Sequence, residues 1–221
     1  MKDKVKYILE APLKNAEEIL DKNYDIIGLK IEEEADKEIL KRLLPRIKKP
    51  VMLRCSGDDS KDKDLLPEFI EILDRESIIA YVNENTYKAV LPSVIKGGHK
   101  LVIRTPIDIN LAKEMNILTS DEGLSLDKII IDSDIGGLGY GFEYGYSIME
   151  KIKLEGQSND KYLNMPLISF AAEETAKTKE ARDEGLGLFL EISSAMGVKA
   201  AGADYIVLTK PETLETLKEL R

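Results

Sequence analysis

Residues 39–82, ILKRLLPRIKKPVMLRCSGDDSKDKDLLPEFIEILDRESIIAYV, hold two turns of one repeating pattern. Ile39, Leu40, Leu43 and Leu44 recur at spacings of three and four, the signature of a helix with one apolar stripe, and Pro50 then opens the short apolar run Val51 to Leu53. The pattern repeats at once with Leu65, Phe69, Ile70 and Leu73, followed by Ile78 to Val82. Alternating short strands and amphipathic helices specify a parallel sheet, because each helix must bury its stripe on the strands it joins.

The same alternation extends in both directions. Val5 to Leu9 and Ile26 to Ile31 precede it, and Leu101 to Ile103, Ile129 to Ile131, Leu167 to Phe170 and Tyr205 to Leu208 follow, with helical spacings at Ala16-Ile19-Leu20 and Leu188-Ile192-Met196. Eight strands in 221 residues leave roughly 28 residues per unit, a lean version of the usual barrel. The expected fold is therefore α/β, a (β/α)8 TIM barrel forming a single domain over residues 1–221, with an open doubly wound sheet as the alternative. Gly97-Gly98 and Gly202 stand where helices should stop before strands five and eight, and Pro50 and Pro166 sit at strand entries where no ladder donor is lost. Pro211 to Leu220 reads as a last helix with Pro in its first turn. The charged stretch Lys177 to Arg182 reads as a loop.

Composition narrows the chemistry. Acidic residues outnumber basic ones, 41 to 32, for a net charge of −9. The lysines are scattered, so no basic footprint for nucleic acid exists. Every apolar run is broken well short of a bilayer span, so no membrane association is expected. The lone Cys55 forms no internal disulfide, and with no leader evident at the N-terminus a reducing, cytoplasmic setting is expected. A single cysteine also excludes an iron–sulfur cluster held by this chain alone, since such clusters require several thiolates. No metal site is expected.

Working residues of such barrels lie just after the strands. Glu10, Arg54 with Cys55 and Ser56, Asn83 with Glu84, Arg104 with Thr105 and Asp108, Asp132 with Ser133 and Asp134, Glu173, and Thr209 with Lys210 meet that test. Asp132 and Asp134 lie two apart, so both can point one way. They read either as an acid–base pair, or with Asp108 as ligands to a hard cation, or as a turn cap and a partner of Arg104 or Arg54. Cys55 beside Arg54 reads as an activated thiol or, favoured in the absence of a nearby His, as an ordinary half-buried cysteine. His99, in the Gly-Gly-His-Lys turn before strand five, falls on the opposite face and reads as a surface turn residue.

The composition of residues 136–146, GGLGYGFEYGY, is the most unusual in the chain. Its glycines permit close approach of a ligand, and Tyr140, Phe142, Tyr144 and Tyr146 offer flat faces to a large planar one. The spacing matches neither G-x-G-x-x-G nor a P-loop. Read structurally, the same residues form a turn whose aromatics pack under the next helix.

Residues 105–113, TPIDINLAK, then Asp132, then residues 138–144, LGYGFEY, then residues 147–152, SIMEKI, resemble the barrel subunit of corrinoid iron–sulfur proteins, the archaeal delta subunit of acetyl-CoA decarbonylase/synthase. Ser56-Gly57 and Met165-Pro166 match in place and order. The resemblance implies a barrel that shields one face of a corrinoid (cobalamin) carried with an iron–sulfur cluster by a larger partner subunit, within the CO dehydrogenase/acetyl-CoA synthase complex of acetyl-CoA synthesis and one-carbon metabolism. It further implies methyl transfer from a pterin methyltransferase to acetyl-CoA synthase, and cofactor contacts at Thr105, Asp108, Asn110, Asp132, Gly139, Tyr140, Gly141 and Tyr144. The family reads Asp-Pro-Thr after strand six where this chain has Asp132-Ser133-Asp134. The first strand is read almost at the first residue, so the N-terminal extension of longer subunits is expected to be lacking.

Three functions are carried forward. The first is an accessory methyl-transfer subunit without bond chemistry of its own. The second is a stand-alone pterin-dependent methyltransferase-like enzyme using Asp108, Asn110 and Asp132. The third is a barrel that acts only in assembly. Exposed apolar area beside the mouth would favour a partner-bound barrel.

Overall fold

The computed structural model describes residues 5–136 and 141–220. Eight parallel strands, Lys6–Pro12 (β1), Ile26–Lys30 (β2), Val51–Arg54 (β3), Ile78–Val82 (β4), Lys100–Arg104 (β5), Ile129–Asp132 (β6), Leu167–Ser169 (β7) and Tyr205–Leu208 (β8), pair in chain order and close with β8 against β1. This is the expected TIM barrel, and closure excludes the doubly wound sheet. Around it lie helices Asp36–Leu43 (α1), Asp59–Ile70 (α2), Tyr87–Gly97 (α3), Ile109–Asp121 (α4), Phe142–Gln157 (α5), Ala171–Ala176 (α6), Glu184–Ala201 (α7) and Pro211–Glu219 (α8).

The strands read as unbroken apolar runs because both of their faces are covered. Ile8, Met52, Val102, Ile130, Ile168 and Val207 fill the barrel interior. Their neighbours Leu9, Leu53, Ile103, Ile131 and Leu208 point the other way and meet the helices. Each such side chain contributes roughly 1.5–3 kcal/mol by leaving water. Between Ile79 and Val82 the pairing of β4 with β5 slips, so Tyr81 joins Ala80 on the interior side.

Departures from expectation follow from packing. After β1 the connection is a 3-10 helix, Leu13–Ile19, whose buried residues Leu13, Ala16 and Ile19 recur every third position, the period of that tighter helix. α7 fully buries small residues with one charge, Gly187, Glu191, Ala195, Val198 and Ala201; of the expected stripe Leu188-Ile192-Met196 it packs Ile192 partly against the core and leaves Met196 exposed. Residues 177–182 include a short 3-10 turn, Glu180–Arg182. His99 is no surface residue: it is 2 % exposed, and its Nδ1 accepts the Ser77 N–H at 3.2 Å, tying the start of β5 to the entry of β4. Burial lowers its pKa. Cys55 is buried rather than half-buried, and burial drives its thiol pKa up, which removes the nucleophile reading. No described helix is long and apolar enough to cross a membrane.

Candidate functional site

Continuing each strand two residues past its interior apolar side chain places a charge in the barrel mouth: Ile8 leads to Glu10, Met52 to Arg54, Val102 to Arg104 and Ile130 to Asp132. All four are buried. A fifth, Glu173, comes from α6 just after β7.

These charges form one network. Arg54 donates from Nε to Glu10 Oε1 at 2.8 Å and from NH2 to Glu10 Oε2 at 2.6 Å. Arg104 Nε donates to Asp132 Oδ2 at 2.6 Å. Arg54 NH1 and Arg104 NH2 both reach the same oxygen, Glu173 Oε2, at 3.2 Å each. Flat faces enclose the guanidinium groups, since Arg104 lies 3.4 Å over the Tyr81 ring and 4.9 Å from Phe170, with Arg54 5.1 Å from Phe170. Tyr81 meets Phe170 edge to face at 5.6 Å. Gly28, paired with Glu10 across β1 and β2, makes the room: a Cβ there would stand 2.8 Å from the Glu10 Cβ.

Burial opposes ionisation throughout, and the partners decide the balance. Desolvation pushes Asp132 up to about 6 against the pull of Arg104, with Asp134 adding to the rise. Glu173 is also pushed up by burial, yet Arg104 and then Arg54 hold it below the usual carboxylate range. Burial pushes the Tyr81 phenol up to about 12. Both arginines are held charged more firmly than usual: burial works against the charge, but Glu10 for Arg54 and Asp132 for Arg104, helped in each case by Glu173, outweigh it.

A cavity of about 640 Å³ opens beside this network, lined among others by Lys30, Arg54, Phe170, Glu173 and Thr209. Such a volume suits a small ligand. A cavity of about 390 Å³ at the opposite end, with Lys6, Glu76 and Lys100, lies on the face that barrels use for stability.

The expected site residues divide. Asp132 sits in the mouth and pairs with Arg104, while its Oδ1 accepts the Asp134 N–H at 2.9 Å, so one aspartate takes both the capping and the pairing roles that the sequence divided between two. Thr105 extends the ladder, its N–H bonding Asp132 O at 2.9 Å, and its side chain therefore falls on the side away from Arg104. Asp108 is the N-cap of α4, accepting from the N–H groups of Asn110 and Leu111 at 2.8 and 3.1 Å, and both Asp108 and Asn110 are exposed on the rim. Among the described residues no group of three or more acidic, His or Cys side chains could hold a metal ion. Gly141 is the N-cap of α5 and Tyr144 is exposed in its first turn. Gly139 and Tyr140 lie outside the described residues. Ile107 and Asp134 both adopt left-handed backbone, φ 48° and 49°, in adjoining loops that are joined by the Ile107 N–H to Ser133 O bond of 3.0 Å. Strain of this kind at a β-branched residue concentrates at functional faces.

The sequence reading overlooked Lys30, Tyr81, Phe170 and Glu191. Glu191 is buried in α7, where its Oε1 accepts the N–H groups of Thr209 and Lys210 at 2.9 and 3.0 Å and its Oε2 accepts the Thr209 hydroxyl at 2.8 Å. Thr209 and Lys210 are thus tied down at the entry to α8. One charge inside the apolar run Leu186 to Met196 was the available signal.

Residues 14–220 match the family described as CO dehydrogenase/acetyl-CoA synthase delta subunit. The acetyl-CoA decarbonylase/synthase complex subunit delta of Methanopyrus kandleri is 28% identical over 191 residues, covering 82% of this chain and 48% of the relative. That of Methanocaldococcus jannaschii is 27% identical over 205 residues, covering 86% and 50%. The chain thus spans about half the length of these relatives. Among solved structures, a dihydropteroate synthase of Xanthomonas albilineans superposes with a TM-score of 0.74 at 8% identity, covering all of this chain and 93% of the other, a likeness of fold alone. The chain belongs to the family of CO dehydrogenase/acetyl-CoA synthase delta subunits.

Proposed function

We propose that the chain is an accessory methyl-transfer subunit, which covers a corrinoid at the strand-end face together with a larger corrinoid- and iron–sulfur-carrying subunit. The observation that carries this reading is α7. It is apolar on nearly every side, yet leaves Leu186 53%, Phe189 71% and Met196 48% exposed. Next to it on α5 are Phe142, whose ring lies where a side chain on Gly197 would be, and Tyr144, 52% exposed. A helix that is hydrophobic all round belongs in an interior, and an apolar patch of this size beside a barrel mouth fits a partner protein.

The mouth itself supports a non-catalytic role. Its carboxylates and guanidinium groups are engaged with one another, so no acid, base or nucleophile stands ready in the network. The rim suits the edge of a corrinoid: Tyr144 offers a flat face, Gly141 a close backbone approach, and Asp108 and Asn110 polar groups, with Thr105 and Asp132 supporting them from behind. A bound corrinoid supplies the cobalt that carries the methyl group; the residues of this chain bind its rim, exclude water and hold the partner in place. Pterin methyltransferase and acetyl-CoA synthase are the partners on either side of that transfer. The relatives' naming as subunits of one complex supports the same reading.

The test is sedimentation velocity of the chain mixed with the corrinoid-loaded large subunit. A joint boundary carrying the corrinoid absorbance supports the proposal. Separate sedimentation, with methyltetrahydrofolate binding to the chain alone, would transfer the assignment to a pterin-dependent enzyme.

A further inference from the structure

Glu173 is bound differently from the other mouth carboxylates. Glu10 and Asp132 each belong to a strand and meet one arginine at 2.6–2.8 Å. Glu173 projects from α6, a six-residue helix, and touches two arginines through a single oxygen at 3.2 Å. Its side chain is also the most exposed of the network. Charge-assisted bonds of good geometry are shorter than this.

Around Glu173 lies the rest of a binding site. The cavity of about 640 Å³ that it lines also receives Lys30, from the β2 position paired with Arg54, and among the described residues Lys30 forms no ion pair. Phe170 and apolar side chains such as Pro12, Ile19 and Val207 provide the remaining wall. The Arg54 guanidinium and one unpaired ammonium therefore line a space closed on one side by a loosely held carboxylate, and Arg104 reaches the same oxygen of that carboxylate from behind.

We infer that Glu173 occupies an anion seat built from Arg54, Arg104 and Lys30, and that the carboxylate or phosphate group of a small ligand takes its place there while the ligand body lies against Phe170. The guanidinium edges now shared by Glu173 Oε2 then bond the ligand's oxygens, Lys30 supplies a third contact, and α6 carries Glu173 outward to solvent. Glu10 and Asp132 stay with their arginines, so the seat remains assembled when Glu173 leaves. This inference stands apart from the corrinoid reading, because it concerns the free chain.

The experiment is calorimetric titration of the whole chain, without partner or corrinoid, with sodium phosphate and separately with sodium benzoate at fixed ionic strength. Glu173→Gln is expected to bind at least one of these about tenfold or more tightly than the wild type, since removing a tethered competitor raises the apparent affinity. A gain for phosphate assigns a phosphorylated ligand, and a gain for benzoate a carboxylate. Adding Lys30→Met to Glu173→Gln should abolish the gain. Should Glu173→Gln not fold, Glu173→Asp, one methylene too short to bridge both arginines, takes its place with the same expected direction. Equal affinity in wild type and variant, no binding by either, or a gain that survives Lys30→Met would overturn the inference.

Discussion

Glu10 grips Arg54 through both carboxylate oxygens, at 2.8 and 2.6 Å, with both side chains buried at the top of the barrel. Removing Glu10 breaks both of its bonds to Arg54 and leaves that buried guanidinium only the 3.2 Å contact to Glu173 Oε2, whereas replacing both members by apolar groups is far milder. Glu10→Ala should destabilise the fold by about 3–5 kcal/mol. Glu10→Leu with Arg54→Met should recover most of that loss in denaturant unfolding. A double variant as unstable as the single one would show that the pair is needed for more than charge balance.

Gly28→Ala addresses the same pair from behind. The added methyl would press on the Glu10 Cβ at 2.8 Å and on the Glu10 Cα, which is backbone and cannot easily give, at 3.0 Å, so a loss of about 1–3 kcal/mol from overpacking is expected. Thermal unfolding reads it directly, and an unchanged midpoint would place Glu10 elsewhere.

Asp132 gives a pH signature. Burial raises its folded pKa to about 6, above the ordinary value of 3.8. The folded state then holds more protons than the unfolded state between those two values, so this group's contribution is fully present below the lower value and is lost as pH rises through the upper one. The stability of the wild type relative to Asp132→Asn should therefore fall between about pH 4 and pH 6.5 and level off above. A difference that rises with pH would mean that Arg104 outweighs burial.

Glu191 holds the chain where β8 becomes α8. Glu191→Ala leaves the Thr209 and Lys210 N–H groups without their acceptor, at an expected cost of about 2–4 kcal/mol. Amide exchange at those two positions should accelerate in the variant. Unchanged exchange there would show that the loop holds itself.

Phe189 makes the opposite prediction. At 71% exposed it contributes little to the folded chain, so Phe189→Asp should leave stability within about 0.5 kcal/mol while weakening association with the large subunit. Loss of stability in the free chain would instead make α7 an internal packing element.

All eight strands were legible in the sequence because a parallel barrel buries both strand faces and so writes apolar runs with helical spacing between them. The mouth was legible in part: Glu10, Arg54, Arg104, Asp132 and Glu173 each follow a strand end, but nothing in one dimension says which arginine meets which acid. His99 was misplaced because a Gly-Gly turn reads as surface, whereas here the ring turns inward to cap Ser77. Tyr81 was hidden by the slip in β4, which puts two successive residues on one face. α7 misled because Leu186, Phe189 and Met196 face outward while small residues face the barrel, the reverse of the usual amphipathic stripe.

Sedimentation velocity of this chain with the corrinoid-loaded large subunit, run beside Phe189→Asp, tests the central claim most directly. The account predicts a joint boundary bearing the corrinoid absorbance for the wild type and its loss in the variant, with both chains equally folded. Independent boundaries for the wild type, or an undiminished complex with Phe189→Asp and with Leu186→Asp, would contradict it.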